Sequence, residues 1–186
     1  ASGMLGSTIC RWFSISADHS IFPVYRSIES SFSCGFIRRE RVQINENLFD
    51  ENCLRRTFEL VKPDLVINCV GLVKQVSSSY DPVAAIPVNS LLPHLLFKMS
   101  REVGARFIHF STDCVFSGIL GAYSEESVPD ASDMYGRSKL LGEVDYGGAL
   151  TLRTSIIGHE LVSRRSLVDW FLSQEIKAVN GYTKAI

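Results

Sequence analysis

Short apolar runs alternate along the chain with longer stretches in which apolar residues return every three or four positions. Leu5, Ile9, Trp12 and Phe13 recur at helical spacing, so a helix is expected to open near Gly3. Ile21 to Tyr25 reads as a short strand, with Pro23 an awkward member because proline has no N–H to give a ladder. Leu48 to Val61 reads as a helix with Leu54, Phe58 and Val61 on one side. Lys62-Pro63-Asp64 ends it before Leu65-Val66-Ile67-Asn68-Cys69-Val70, which is expected to be a buried strand finishing at Gly71.

Between Asp81 and Arg101 the spacing predicts a long helix, capped by Asp81, with Pro82 in its first turn and Gly104 as its stop. Pro87 and Pro93 are expected to kink it or to delay its start as far as Val88. Arg106 to Ser111 then reads as a strand, Asp133 to Val144 as a helix, Leu150 to Ser155 as a strand and Ser166 to Ser173 as a last helix. This alternation implies an α/β fold, a Rossmann-like doubly wound parallel sheet covered on both faces. The serine-rich stretches, Ser27 to Ser33 and Ser77 to Ser79, read as loops. A glycine turn that opens a helix normally follows a strand, so the chain is expected to be a fragment without its first strand and the first glycine of that motif.

Composition narrows the function classes without choosing among them. Apolar residues make up 46% and charged residues 21% of 186, which suits one globular domain with a sizeable core. A formal charge of -1, with no basic cluster interleaved with aromatics, argues against nucleic acid or an anionic membrane as partner. Cys10, Cys34, Cys53, Cys69 and Cys114 are scattered, with no Cys-x-x-Cys pair, and His19, His94, His109 and His159 lack metal-ligand spacing. Reduced thiols, no zinc and a soluble, cytoplasmic enzyme are the expectations.

The candidate chemistry falls at two ends. Gly3 and Gly6 could form the turn whose N–H groups approach a pyrophosphate at a helix N-terminus, with a close packing contact as the alternative. Arg26, twenty positions after Gly6, stands where an acidic residue would bind a ribose 2′-hydroxyl, and an arginine there favours a 2′-phosphate, hence NADPH, with NADH still open. Ser27 could add a hydroxyl to the same phosphate; a solvated arginine is the competing reading. Tyr135 and Lys139 lie four apart, so both leave one helix face, and an ammonium beside a phenol is expected to favour phenolate. Thr112, at the tip of a parallel strand, would hold a carbonyl oxygen while Tyr135 protonates it. Each of the three has a bland reading alone, as strand-end cap, amphipathic surface residue and solvated lysine.

Phe110-Ser111-Thr112-Asp113-Cys114-Val115-Phe116-Ser117-Gly118, Tyr123-Ser124-Glu125-Glu126 and Tyr135-Gly136-Arg137-Ser138-Lys139-Leu140-Leu141-Gly142-Glu143 resemble the extended short-chain dehydrogenase/reductases. Among these they look most like the dTDP-4-dehydrorhamnose reductases. Gly3-Met4-Leu5-Gly6, Val88-Asn89 before Pro93 and Leu152-Arg153-Thr154-Ser155 extend the resemblance over nearly the whole chain. It implies NADPH-dependent reduction of the 4-keto group of a dTDP- or other nucleotide-linked 6-deoxyhexulose, with Thr112, Tyr135 and Lys139 catalytic.

The resemblance also implies cofactor contacts from Gly3, Met4, Leu5, Gly6, Val70, Gly71, Leu72, Ser111, Tyr135, Lys139 and Thr154, and substrate contacts from Thr112, Asp113, Cys114 and Val115. Residues 1–160 would be an N-terminally truncated dinucleotide-binding domain, and 161–186 the start of a truncated substrate lobe, so the fragment alone is expected to be inactive. A homodimer is left open.

Departures are plain. Cys114 stands where the reductases carry a tyrosine, Ser117 where they carry an aspartate, and Val70-Gly71-Leu72-Val73-Lys74-Gln75 differs from their alanine-rich loop. Related dehydratases use an Asp-Glu pair where this chain has Asp113-Cys114, which argues against elimination chemistry. Sugar-nucleotide 4-epimerases share Tyr-x-x-x-Lys but usually read Val-Tyr-Gly where this chain has Val115-Phe116-Ser117-Gly118, so an epimerase of the same superfamily is a lesser alternative. A nonenzymatic regulatory subunit, as in a methionine adenosyltransferase, is the alternative from another class.

Overall fold

In a computed structural model, residues 1–27, 29, 41–74, 76–161 and 166–174 are described. In chain order the elements are α1 (Met4–Ile15), β1 (Val24–Tyr25), β2 (Gln43–Ile44), α2 (Glu51–Val61), β3 (Leu65–Asn68), α3 (Pro82–Ala85), a π turn (Ile86–Leu91), α4 (Leu92–Glu102), β4 (Arg106–Ser111), α5 (Met134–Leu141), β5 (Leu150–Arg153) and α6 (Leu167–Leu172), with short 3₁₀ turns at Ser77–Tyr80 and Asp113–Val115. They divide into two compact units, Ala1–Asp64 with Ile156–Ser173, and a second built on Leu65–Ser155. Cys34, Gln75 and the serines from Ser30 to Ser33 lie outside the described residues, as does 175–186.

In the first unit β1 and β2 pair in parallel, Val24 against Gln43 and Tyr25 against Ile44. The strand expected from Ile21 keeps only its last two residues. Pro23 precedes it and takes part only as an acceptor, its carbonyl receiving the Gln43 N–H at 2.9 Å. Helix α1 opens after Gly3 as expected, yet it buries Gly6, Ser7 and Cys10 and leaves Trp12 72% exposed. Helix α2 starts three residues later than its apolar spacing suggests, because Asp50 is the cap: its carboxylate accepts from Asn52 N at 2.9 Å and Cys53 N at 3.3 Å. Leu54 and Phe58 are buried, and Lys62 in the left-handed region (φ 46°) closes the helix.

The second unit carries a parallel sheet ordered β3-β4-β5. β4 has the expected bounds, and its alternation puts Phe107, His109 and Ser111 on the buried side. β3 ends at Asn68 instead of Val70, because the Asn68 side-chain oxygen accepts the Val70 N–H at 3.0 Å and turns the chain off the ladder. Leu65, Val66 and Ile67 are half-buried, short of the full burial expected, β3 being the outer strand of this sheet.

The long helix begins at Pro82, under an Asp81 cap that accepts Val83 N at 3.0 Å. The two inner prolines are absorbed by the π turn between α3 and α4. Pro93 has no N–H for the Asn89 carbonyl four residues back, so that carbonyl lacks its ordinary i+4 donor. Gly104 (φ 75°) stops the run, with Ala105 N donating to Ser100 O at 2.8 Å.

Helix α5 ends at Gly142, before Val144, since Thr151 of β5 takes both backbone groups of Val144, accepting from its N–H at 3.1 Å and donating to its carbonyl at 2.9 Å. Phe97 of α4 packs between Phe107 and Tyr146, at ring distances of 5.7 and 5.2 Å.

Candidate active site

The carboxyl end of β4 delivers Ser111 and Thr112, both buried, and the chain turns at once through Asp113–Val115. Thr112 caps that turn, its Oγ1 accepting Cys114 N at 3.1 Å. Helix α5 lies close to the turn because Gly136 has no side chain: a Cβ there would overlap the Cys114 carbonyl and sit 2.6 Å from Ala131 Cβ. Asp133 caps α5 by accepting Gly136 N at 2.9 Å and lies 3.7 Å from Lys74 Nζ.

Tyr135, Gly136, Ser138 and Lys139 form the buried side of α5. Helix α5 thus packs Tyr135 onto the turn that Thr112 caps, so the phenol and the threonine predicted to work together lie on packed elements. Burial raises the phenol pKa, and the Thr112 side chain opposes that rise. This corrects the expectation that Lys139 favours phenolate. The lysine ammonium instead donates to the Phe110 carbonyl at 2.7 Å, and burial brings its own pKa down to about 8 against the pull of Glu143.

Asn89, fully buried in the π turn, was not singled out as a site residue. Its oxygen accepts Leu72 N at 2.9 Å and its amide donates to Ser138 Oγ at 3.1 Å, tying the loop after β3 to α5. Gly71 lies above this tie, where a Cβ would be 3.4 Å from Asn89 Oδ1 and 3.7 Å from Lys139 Nζ. The Val88-Asn89 motif was the available signal.

Of the other expected positions in this unit, Val70 is exposed, and Thr154 donates its hydroxyl to the Ser155 carbonyl at 3.1 Å. Ser111 Oγ has no partner among the described residues. Cys114 is a half-buried free thiol. Val115 is fully buried and its carbonyl accepts from Asp130 and Ala131, so it is a core residue where a substrate contact was expected. Arg153 makes a bidentate pair with Glu143 (2.8–3.2 Å) and lies 5.2 Å from the Phe116 ring, fastening α5 to β5.

His109, beneath the site, is fully buried and contacts Asn68 Nδ2 through Nδ1 at 3.0 Å. An amide nitrogen only donates, so Nδ1 accepts and the ring hydrogen is on Nε2, which finds no partner among the described residues. Burial, with the nearby Lys139 and His94 charges adding, lowers the His109 pKa from 6.5 to about 3. Above pH 6.5 the ring is neutral folded or unfolded; below it the unfolded chain takes up the proton first, so stability falls as pH drops towards about 3. At pH 5 the loss is about 2 kcal/mol. Urea melts of wild type and His109→Gln at pH 7 and pH 5 should differ in their acid sensitivity by that amount; equal sensitivity would remove His109 from the balance.

In the first unit, Gly6 and Gly3 are glycines for different reasons. A Cβ on Gly6 would lie 3.0 Å from Ala1 Cα, a packing constraint, whereas around Gly3 there is nothing within 4 Å. Met4 packs against Gly158, Leu5 is half-buried, Arg26 is exposed, and the Ser27 hydroxyl bonds the Glu29 carboxylate, which sits below its usual range chiefly through its own backbone N–H. Asn45, 1% exposed at the carboxyl end of β2, has neither side-chain polar atom bonded among the described residues. Sequence reasoning passed over it, although a polar residue ending a parallel strand was the sign to follow. Among the described residues there is no group of three or more potential metal ligands, and no helix is long and apolar enough to cross a membrane.

A family model described as RmlD substrate binding domain matches residues 1–172. Methionine adenosyltransferase 2 subunit beta of Xenopus laevis is 28% identical over 84% of this chain and 45% of its own length. Probable low-salt glycan biosynthesis reductase Agl14 of Haloferax volcanii is 34% identical over 77% of this chain and 45% of its own. The chain thus spans about half the length of the curated relatives it matches. Among solved structures, a hypothetical dTDP-4-dehydrorhamnose reductase from Sulfolobus tokodaii superposes with a TM-score of 0.63 at 27% identity, covering 76% of this chain and 47% of that one. The Campylobacter jejuni UDP-Glc/GlcNAc 4-epimerase, at 24% identity and a TM-score of 0.65 over 76% of this chain and 44% of its own, shares the fold.

Proposed function

Since the chain belongs to the RmlD substrate binding domain family, we propose that it serves NADPH-dependent reduction of the 4-keto group of a nucleotide-linked 6-deoxyhexulose, first of all dTDP-4-dehydro-L-rhamnose. The observation that carries this reading is the close packing of α5, with buried Tyr135 and Lys139 one helical turn apart, on the turn that buried Thr112 caps. Each unit by itself has residues that fit part of a nicotinamide dinucleotide: in the first, Gly3 has no packing reason to be glycine and the Asn45 side chain has no partner among the described residues; in the second, Gly71 keeps a Cβ away from the buried Lys139 Nζ, which it would approach to 3.7 Å. In the second unit, Gly71, Leu72 and Lys139 would hold its nicotinamide half. When bound, the reduced cofactor supplies hydride.

The protein's own task is then proton delivery. As the carbonyl oxygen gains charge it takes the proton from Tyr135 Oη, and the raised phenol pKa keeps that proton in place beforehand. Lys139, fixed on the Phe110 carbonyl at 2.7 Å, keeps its ammonium on the buried side of α5 that also carries Tyr135.

Reduction is tested by following NADPH oxidation with dTDP-4-dehydro-L-rhamnose, using the protein at the length its gene encodes. Turnover is expected. A second reading, an NADP-binding regulatory subunit, draws on the likeness to methionine adenosyltransferase 2 subunit beta. Tight NADPH binding without oxidation by any nucleotide keto sugar would favour it.

A further inference from the structure

The loop after β3 hangs on two asparagine side chains. Val70 N donates to Asn68 Oδ1 at 3.0 Å and Leu72 N to Asn89 Oδ1 at 2.9 Å, with Gly71 between them. A carboxamide turned by 180° would meet each N–H with its NH2 group, donor against donor, so an acceptor behind the amide settles which way it faces. Behind Asn89 that acceptor is Ser138 Oγ at 3.1 Å, whose own hydrogen goes to the Tyr135 carbonyl at 2.9 Å. Behind Asn68 it is Nδ1 of His109 at 3.0 Å, the residue opposite Asn68 in the β3–β4 register. We propose that His109 is a positioning residue: by accepting from Asn68 Nδ2 it keeps the Asn68 oxygen on Val70 N and fixes the 70–72 loop in the shape that receives a nicotinamide. The assignment rests on the NADPH-dependent reductase reading.

The His109 side chain makes one hydrogen bond among the described residues, the one to Asn68. It is fully buried, and its Nε2–H has no partner there. A buried donor left unpaired is destabilising, and an apolar side chain of similar size would avoid the penalty. The contact with Asn68 therefore accounts for a histidine at this point of β4. Asn68 is itself 2% exposed, which leaves water little room to take the place of the ring. Without the ring the Asn68 NH2 group is stranded, and turning the side chain away from Val70 breaks one bond where it had broken two. Val70 N–H then loses its acceptor, and the loop is held at Leu72 alone. Gly71 feels the change most, since a Cβ there would stand 3.7 Å from Lys139 Nζ and its path sets the room over that ammonium.

Amide hydrogen exchange reads the loop without turnover, in the protein at the length its gene encodes. In His109→Leu the Val70 amide should exchange roughly tenfold faster relative to Ala105, whose N–H is held on Ser100 O at 2.8 Å. Kd for NADPH, followed by the fluorescence of the cofactor, should rise roughly tenfold as well. KM for NADPH is expected to rise with it, while kcat at saturating cofactor changes little. His109→Asn, which can place an oxygen where Nδ1 lies, should bring exchange and affinity back towards wild type. Asn68→Asp is a second test that keeps the size of the side chain: the carboxylate still accepts from Val70 but needs a donor behind it, so ¹⁵N shifts of His109 should show a hydrogen on Nδ1. Should His109→Leu not fold, that shift, with Val70 protection kept, carries the test alone. A Val70 amide or an NADPH affinity unmoved in folded His109→Leu, or a ring still bare at Nδ1 in Asn68→Asp, overturns the role of His109 and leaves the reductase reading standing where the wild type turns over. Faster Val70 exchange in His109→Leu, in a protein whose wild type binds no NADPH, supports the hold on the loop and overturns that reading.

Discussion

Tyr135→Phe should lower kcat for keto-sugar reduction by roughly 100- to 10,000-fold, the range over which positioned proton donors act. The substitution removes one oxygen from a side chain that is 8% exposed and leaves the ring in its place. What is lost inside the protein is the phenol oxygen alone, while the Thr112 oxygen still accepts Cys114 N and its hydrogen still reaches Asp113. Stability should therefore move by only about 1 kcal/mol. KM for cofactor should stay near the wild-type value, so the change falls on kcat. Stopped-flow measurement of a single turnover would isolate the chemical step, and a rate within a few-fold of wild type would mean the proton comes from elsewhere.

Gly142→Ala is expected to destabilise the protein by about 3 kcal/mol, near the upper end for forced overpacking. A Cβ at Gly142 would overlap the Asn89 carbonyl oxygen and lie 2.9 Å from the carbon that bears it. These are backbone atoms, so no rotamer change relieves the overlap; α5 or the π turn has to shift. Gly104→Ala is the comparator: its φ of 75° is strained for alanine, but nothing lies within 4 Å, so about 1 kcal/mol is expected. Urea midpoints of the two variants test the difference, and equal losses would mean that the α5 contact yields easily. Any shift of α5 also moves Tyr135 and Lys139 against Leu72, so activity in folded Gly142→Ala should drop more than stability does.

What could be read from the sequence follows from what periodicity measures. β4 was legible to its ends because Phe107, His109 and Ser111 alternate with more exposed neighbours, and α4 because its apolar face is wide. The buried side of α5 was not legible in that way. It is made of Tyr135, Gly136, Ser138, Lys139 and Gly142, which no hydrophobic pattern marks, and only the Tyr-x-x-x-Lys spacing drew attention to it. The same limit hid Asn89, Asn45 and His109, polar groups whose burial depends on partners far along the chain or on none. The phenol's expected shift had the wrong sign because spacing does not show burial, which raises the Tyr135 pKa, nor that the Lys139 ammonium finds its acceptor in the Phe110 carbonyl of another element.

The π turn has a meaning for how this chain can change length. It holds the equivalent of one extra residue between α3 and α4, and each residue of an α-helix adds about 100° of rotation. Losing a single position from Ile86–Leu91 would let α3 and α4 fuse into one continuous α-helix and remove the wide turn that presents Asn89. Asn89 would then address a different neighbour, and its carbonyl would leave the hollow at Gly142. A one-residue deletion here, harmless in a loop, would close the turn that holds Asn89 on Leu72 and Ser138, so lineages of this fold should tolerate substitutions in the segment far better than changes in its length.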